Sequence, residues 1–171
     1  MKAPRIFYIL FFIDCVCLLA YGLYLQHVDG LEPCPLCIFQ RWAYIAVAVF
    51  AFIGAAHGPG LLGIRIYSGL ISLASLVGAG IAGRQVWLQH LPADQVPACG
   101  PDLEYMLEVF SLSETLKSVF TGSGECAEVN WTFLGLSIAE WSLICFVVYT
   151  LVALLHCIRG RLLATGSWLD I

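Results

Sequence analysis

Two cysteines, Cys34 and Cys37, stand three positions apart where a short polar segment meets a long apolar one that begins at Ile38. If a helix begins near Leu36 or Cys37, the Cys37 sulfur lies in its first turn, where unpaired backbone N–H groups and the helix dipole favour a thiolate. Arg41 follows one turn later on the same face, where its charge can stabilise the thiolate or hold an anionic ligand. We therefore predict redox chemistry at a membrane surface, with Cys37 as the more acidic thiol.

The same Cys-x-x-Cys pair could be half of a zinc site. A complete site needs a second pair of cysteines or nearby histidines, and no such group lies close in the sequence, so we expect no metal. The chain has eight cysteines. Four of them fall inside or at the ends of apolar segments and are expected to be small buried hydrophobes, namely Cys15, Cys17, Cys145 and Cys157. Those in the polar connections are Cys34, Cys37, Cys99 and Cys126, and their spacing leaves three pairings open.

The composition is that of an integral membrane protein. Over 171 residues the chain is 60% hydrophobic and 12% charged, whereas soluble domains carry about 25% charged residues. The formal net charge of −4 argues against nucleic acid as a partner, because no basic face is available to neutralise phosphates.

Four apolar segments are each long enough to cross about 30 Å of hydrocarbon as a helix. We predict an all-α, four-transmembrane-helix bundle that forms a single membrane domain over residues 1–171, with cysteine loops at about 27–37 and 89–132. A cleaved signal peptide is the alternative for the first segment, but the apolar run is too long and lacks a small-residue cleavage site. The predicted spans cover residues of about 6–26, 38–57, 62–88 and 133–157.

The second cysteine loop contains apolar residues at near-helical spacing between Leu107 and Phe120, which predicts a short amphipathic helix lying on the membrane. A small soluble subdomain is the alternative, but too few apolar residues are present to fill its core. Four spans place both termini on one side and both cysteine loops on the other. The positive-inside rule makes the termini cytoplasmic, since that side carries more basic residues, namely Lys2, Arg5, Arg65, Arg159 and Arg161.

The chain resembles the disulfide bond formation protein B (DsbB) family in an ordered set of motifs. The first is Pro33-Cys34-Pro35-Leu36-Cys37 with Arg41, the second is Pro97-Ala98-Cys99-Gly100-Pro101, and the third is Gly124-Glu125-Cys126-Ala127 followed by Trp131, Phe133, Leu134, Gly135 and Leu136. With the four spans, these motifs cover nearly the whole chain. A Cys-x-x-Cys motif by itself would be a weak signal, whereas the ordered set is specific.

This resemblance implies a multi-pass protein of the bacterial inner membrane, with periplasmic cysteine loops. It implies reoxidation of a periplasmic DsbA-like thioredoxin-fold oxidase, with the electrons passing to the membrane quinone pool and ubiquinone preferred over menaquinone. Cys99 would be attacked by the partner, and Cys126 would be its companion. Cys34 would exchange with the second loop, and Cys37 would be the quinone-facing thiolate.

Arg41 and Gln85 would bind the quinone. Family members often carry a histidine where this chain has Gln85, with His90 nearby. A glutamine can donate a hydrogen bond to a quinone carbonyl but cannot act as a proton relay.

Two other functions are compatible with parts of this pattern. A membrane scaffold or small transporter would use the outward cysteines as two structural disulfides, which would not react with a mild thiol and would need no quinone. A reductase of the vitamin K epoxide type also has four helices and a Cys-x-x-Cys pair. Its catalytic pair normally lies late in the chain, whereas the pair here lies early.

Overall fold

The computed structural model describes residues 3–92, 94–96 and 124–165. Helices account for most of this part of the chain. A hairpin of two short strands, β1 (Thr132–Phe133) and β2 (Leu136–Ser137), precedes the last helix. The helices are α1 (Ala3–His27), α2 (Pro35–His57), α3 (Leu61–Gln89), α4 (Gly124–Ala127) and α5 (Ile138–Thr165).

The four long helices are apolar enough and long enough to cross a membrane. Their spanning segments have 21 to 29 residues, and a rise of about 1.5 Å per residue makes even the shortest about 30 Å long. The predicted all-α membrane bundle is therefore confirmed. The segments are Arg5–His27, Pro35–His57, Leu61–Gln89 and Ile138–Ile158.

The core of the bundle depends on close packing between α3 and α5. Gly78 on α3 faces the ring of Phe146 on α5, and a Cβ atom at this glycine would lie 2.6 Å from the ring. Phe146 is fully buried and stacks on Tyr44 of α2. A glycine at residue 78 thus lets a large aromatic ring fill the space between three helices.

Helices α1 and α5 meet through large side chains. Phe7 stacks on His156 with ring centroids 3.9 Å apart, and the Tyr149 hydroxyl donates a hydrogen bond to Asp14. Asp14 lies well inside the first spanning segment, where a carboxyl group without a partner would be costly. The Tyr149 hydroxyl supplies that partner, so the contact also joins α1 to α5.

Contacts at the ends of the helices show which features share one end of the bundle. The Arg5 guanidinium approaches Gly58 in the turn between α2 and α3, and Cys157 of α5 donates to the Arg65 carbonyl. The start of α1, this turn and the distal part of α5 therefore lie together. Cys34 and Cys126 pack in one cluster at the opposite end.

The second helix begins earlier than predicted. The sequence suggested a loop over about residues 27–37 and a span from about residue 38, but α2 starts at Pro35. Proline suits the first helical position because its missing N–H would have no intrahelical acceptor there. Cys37 consequently lies in the first turn of the helix, as the sequence had suggested.

The last helix begins later than predicted. The fourth span was expected from about residue 133, but a hairpin pairs Thr132 with Ser137 and Phe133 with Leu136, and α5 starts at Ile138. The two linking residues, Leu134 and Gly135, have φ angles of 53° and 81°, as a two-residue hairpin turn requires. Because most residues of this segment are apolar, the sequence pattern did not indicate a turn here.

Ser137 and Glu140 then cap the start of α5. The Ser137 N–H donates to Glu140 Oε2 at 2.7 Å, and the Glu140 N–H donates to Ser137 Oγ at 3.3 Å. This reciprocal pair is a capping box, which satisfies N–H groups that have no acceptor within the helix. The predicted interfacial helix between Leu107 and Phe120, together with Cys99, lies outside the described residues.

Candidate functional site

The Cys-x-x-Cys pair occupies the start of α2. Cys34 is the N-cap residue, with extended backbone, and its carbonyl accepts the first helical hydrogen bond from the Ile38 N–H at 3.1 Å. Pro35 follows at the first helical position. This arrangement places the Cys37 sulfur in the first turn, where the positive end of the helix dipole favours a negative charge.

The two sulfurs lie close together inside the protein. Cys34 Sγ and Cys37 Sγ are 2.9 Å apart and are not joined by a disulfide bond in this structure. Cys34 is 8% exposed, whereas Cys37 is partly accessible. A small rotation of the side chains would bring the sulfurs to the disulfide bond length of about 2.05 Å, so this pair can cycle between dithiol and disulfide.

Cys126 reaches the same place from the distant loop. It lies in the single turn of α4, is 1% exposed, and packs with Cys34, Leu36 and Leu88. Hydrogen bonding to Cys126, then hydrogen bonding to Cys37 and burial, raise the pKa of the Cys34 thiol. Cys34 therefore stays protonated and can donate a hydrogen bond to a neighbouring sulfur. This favours Cys37 as the sulfur that carries the negative charge.

Gln85 of α3 contacts both cysteines of the pair. Its side-chain N–H groups donate to Cys37 Sγ at 3.2 Å and to Cys34 Sγ at 3.4 Å. The sequence suggested this residue as a cofactor-binding group, and the structure places it directly against the sulfurs. An amide N–H that points at a thiolate stabilises the charged form.

Arg41 is held by α1. Its guanidinium donates to Gln26 Oε1 at 2.6 Å and to the Gly22 carbonyl at 3.1 Å. The sequence placed Arg41 on the same helical face as Cys37, and both residues line one cavity. The hydrogen bonds that the structure shows for Arg41 go to α1 and not to Cys37. Because Arg41 also lines the cavity, its guanidinium is better placed to contact a ligand there than to contact the thiolate.

The cavity has a volume of about 340 Å³, within the range of small-molecule sites. Its walls come from all four long helices, and they are mostly apolar, with a few polar groups that include Arg41 and Gln85. The hairpin borders it through Phe133 and Ser137, and Trp131, just before the hairpin, meets Tyr21 of α1 with ring centroids 6.0 Å apart. The Trp141 indole of α5 donates to the Phe133 carbonyl at 3.1 Å.

His90 lies apart from this cavity. Its Nδ1 is 2.8 Å from the Val86 carbonyl, and its Nε2 is 3.8 Å from the Glu140 carboxylate that caps α5. In the sequence, His90 lies near Gln85. In the structure it helps to join the end of α3 to the start of α5.

Two further polar residues belong to the site and were not identified from the sequence. Gln40 is 4% exposed and donates to Gln85 Oε1 at 2.7 Å, and Gln26 accepts from Arg41. Gln40 follows Cys37 by three residues, which places it on the same helical face, and a polar residue inside an apolar span is itself a signal. Gln26 carried no comparable signal because it stands at the polar end of its helix.

The fold and this site define a class of multi-pass membrane proteins in which a buried thiol pair lies beside a small, mostly apolar cavity. The sequence profile of the family described as "Disulfide bond formation protein DsbB" matches residues 4–156. The chain therefore belongs to the DsbB family of disulfide bond formation proteins.

Relatives named "Disulfide bond formation protein B" match most of the chain. The relative from Azoarcus sp. (strain BH72) is 51% identical over 143 residues, which cover 84% of this chain and 86% of the relative. The relative from Aromatoleum aromaticum is 47% identical over 159 residues, covering 93% and 95% respectively. "Disulfide bond formation protein B 1" of Pseudomonas aeruginosa is 48% identical over 149 residues, covering 87% and 91%.

Proposed function

We propose that this protein reoxidises a periplasmic thioredoxin-fold oxidase of the DsbA type and passes the two electrons to a membrane quinone. The observation that carries the proposal is the position of the Cys34–Cys37 pair, which contacts Cys126 on one side and the cavity on the other. Membership of the DsbB family supports the disulfide chemistry. The excess of basic residues near the termini supports a periplasmic position for the cysteines.

The first half of the reaction takes place in the second loop. A thiolate of the reduced partner attacks Cys99 of a Cys99–Cys126 disulfide, forms a mixed disulfide and releases Cys126 as a thiolate. The second thiolate of the partner then attacks the partner's own sulfur in the mixed disulfide. The partner leaves as a disulfide, and Cys99 and Cys126 have gained two electrons. The role of Cys99 rests on the family resemblance.

The second half moves these electrons into the membrane. The Cys126 thiolate attacks Cys34 of a Cys34–Cys37 disulfide and releases Cys37 as a thiolate, and Cys99 then attacks Cys126 and restores the loop disulfide. The contact between the buried Cys126 and Cys34 supports this order. Cys34 leaves in this last exchange as a thiolate and takes up a proton, whereas the first turn of α2 and the N–H groups of Gln85 stabilise Cys37 as a thiolate.

A quinone fits the residues that line the cavity. When bound, it would accept the two electrons released as the Cys34–Cys37 disulfide reforms, together with the proton that Cys34 loses and a second proton from solvent. Its apolar ring and tail suit the mostly apolar walls, and the Arg41 guanidinium offers hydrogen-bond donors to its carbonyl oxygens, with Gln85 in the wall of the same cavity. The end of Arg41 is held by α1, so these donors are oriented in advance, whereas the Gln85 amide is held by α2 with its N–H groups on the two sulfurs.

The redox potentials explain why an electron acceptor is needed. A DsbA-type oxidase has a potential of about −120 mV, whereas unstrained structural disulfides lie below about −300 mV. Oxidation of such a partner by a disulfide of that kind would be uphill by about 8 kcal/mol for two electrons. The loop disulfide must therefore be strained or exposed, which raises its potential, or a bound quinone would have to remove the electrons and so favour the exchange.

Turnover with purified components tests the proposed function. Reduced DsbA-type oxidase mixed with the protein and ubiquinone should be oxidised with the loss of one quinone for each partner disulfide formed, because both reactions transfer two electrons. Quinone absorbance and alkylation of the remaining partner thiols measure the two sides. Oxidation of the partner without loss of quinone would contradict the proposal, and a protein that oxidises no partner would favour a structural role for the disulfides.

A trapped complex tests the order of exchange. A partner that lacks its second cysteine cannot complete the exchange and should remain joined to Cys99 of the intact protein, because the family resemblance makes Cys99 the cysteine that the partner attacks. Non-reducing peptide mapping identifies the joined cysteine. A crosslink to Cys126 or Cys34 would overturn the assigned order.

A further inference from the structure

A pair of buried side-chain amides links α2 and α3 next to the reactive cysteines. Gln40 and Gln85 are each 4% exposed, although burying an amide is costly unless it is hydrogen-bonded. Gln40 Nε2 donates to Gln85 Oε1 at 2.7 Å, and Gln85 Nε2 donates to Cys37 Sγ at 3.2 Å. The two amides and the sulfur thus form one continuous chain of hydrogen bonds.

The direction of this chain depends on Gln40. An amide group has a donor end and an acceptor end of nearly the same shape, so its orientation is decided by its hydrogen-bond partners. The N–H of Gln40 occupies the oxygen of Gln85, which leaves the nitrogen of Gln85 facing the sulfurs. Without that donor, the Gln85 amide could turn over and present its oxygen to a Cys37 thiolate, which would repel it.

We propose that Gln40 is a positioning residue, which holds the Gln85 amide so that it donates hydrogen bonds to the Cys37 thiolate. The inference rests on the proposed function for the role of Cys37 as the thiolate in the reaction. Cys37 Sγ also lies 3.5 Å from Gln85 Oε1, so Cys37 can donate to the amide oxygen when it is a thiol. The same amide can therefore hydrogen-bond Cys37 both as a thiol and as a thiolate, provided that Gln40 holds the amide in place.

The reactivity of Cys37 tests this inference in the reduced, full-length protein. We expect Gln40→Met to raise the apparent pKa of Cys37 by about one unit, which slows its alkylation by iodoacetamide by up to about tenfold at pH values below the pKa of Cys37 in the parent protein. Mass spectrometry of the Cys37 peptide across a pH series gives the rate and the profile. Among the described residues, the charged or titratable groups that line the cavity or pack with Cys37 are unchanged in the variant, namely Cys34, Arg41, Cys126, Glu32, Glu125, Glu128, Tyr21, Tyr44 and Cys145.

The same measurement in a Gln85→Met protein shows whether Gln40 acts through Gln85. In Gln85→Met protein the amide is absent, so adding Gln40→Met should change the Cys37 profile no further. Gln89→Met is the matched control, because Gln89 also lines the cavity but accepts its hydrogen bond from Ser137. This control should leave the profile as it is in the parent protein.

A variant of the same size keeps the test informative if Gln40→Met fails to fold. Gln40→Leu removes the donor with an uncharged side chain of similar size that suits an apolar span, so the Gln85 amide should again be free to turn and Cys37 alkylation should slow as in the Gln40→Met protein.

An equal slowing in both backgrounds, or no slowing in either, would overturn the role of Gln40. The measurement uses neither partner nor quinone. Its result is therefore independent of the turnover experiment, whose failure would count against the proposed function.

Discussion

Serine substitution of Cys37 is expected to lower quinone-dependent turnover by more than about a thousandfold. A serine hydroxyl neither ionises near neutral pH nor forms a disulfide, so no electron pair can reach the cavity through residue 37. Cys34→Ser should have the same effect, because it removes the sulfur that contacts Cys126. Both variants should still form a mixed disulfide with the partner at Cys99.

The loop cysteines should behave differently from this pair. Cys99→Ser is expected to prevent capture of the partner altogether, and Cys126→Ser to stop turnover because the electrons cannot pass to Cys34. Quinone reduction measures turnover, and non-reducing electrophoresis measures capture. A Cys34→Ser or Cys37→Ser protein that still reduces quinone would contradict the proposed sequence of exchanges.

Cysteines outside the site provide the controls for this series. Cys17 was expected to be buried, but it is exposed on the surface of α1, and Cys157 donates to the Arg65 carbonyl at the opposite end of the bundle. Serine at either position should leave turnover close to that of the parent protein. If Cys15, Cys17, Cys145 or Cys157 proved as essential as Cys37, the division of the cysteines by depth in the membrane would be wrong.

Replacing Arg41 with methionine should weaken quinone binding without affecting partner exchange. Methionine keeps a long side chain and good helix propensity but removes the charge and the hydrogen-bond donors beside the cavity. Loss of a hydrogen bond from a charged group costs about 1.5–3 kcal/mol, so the KM for quinone should rise about 10- to 100-fold. Steady-state kinetics with varied quinone measures this change, and trapping at Cys99 measures partner exchange.

Arg65→Met is the matched control for the loss of a positive charge. Arg65 lies on α3 at the end of the bundle opposite the cysteines, so its replacement should leave the KM for quinone unchanged. An Arg41→Met protein with unaltered affinity for quinone would remove Arg41 from the cofactor site. Its contacts with Gln26 and Gly22 would then serve only to join α2 to α1.

Much of the membrane architecture was predictable because it depends on local properties of the chain. The transfer of a long apolar run from water to lipid favours a spanning helix whatever its neighbours are, and four such runs are present. The position of Cys37 in a first helical turn was also predictable from the boundary between polar and apolar residues. The start of α5 was not, because the turn at Leu134 and Gly135 lies within a segment that is mostly apolar.

The site itself was predictable only in part. The cysteine pair, Arg41 and Gln85 could be identified from motifs, but their partners could not. The hydrogen bonds of Arg41 to Gln26 and Gly22 depend on how α1 packs against α2. No spacing within a single helix contains that information.

By itself, the amino-acid sequence determined that this chain spans the membrane four times and carries a thiol pair at the start of its second helix, since hydrophobic length and helix polarity act locally. Tertiary structure decided which side chains surround that pair. Gln85 stands 48 residues from Cys37 and reaches it because α2 and α3 pack with these faces together. Contacts between helices depend on the joint fit of many side chains in a dense core, so the direction of the Gln40–Gln85 hydrogen bonds emerges only when the helices are packed.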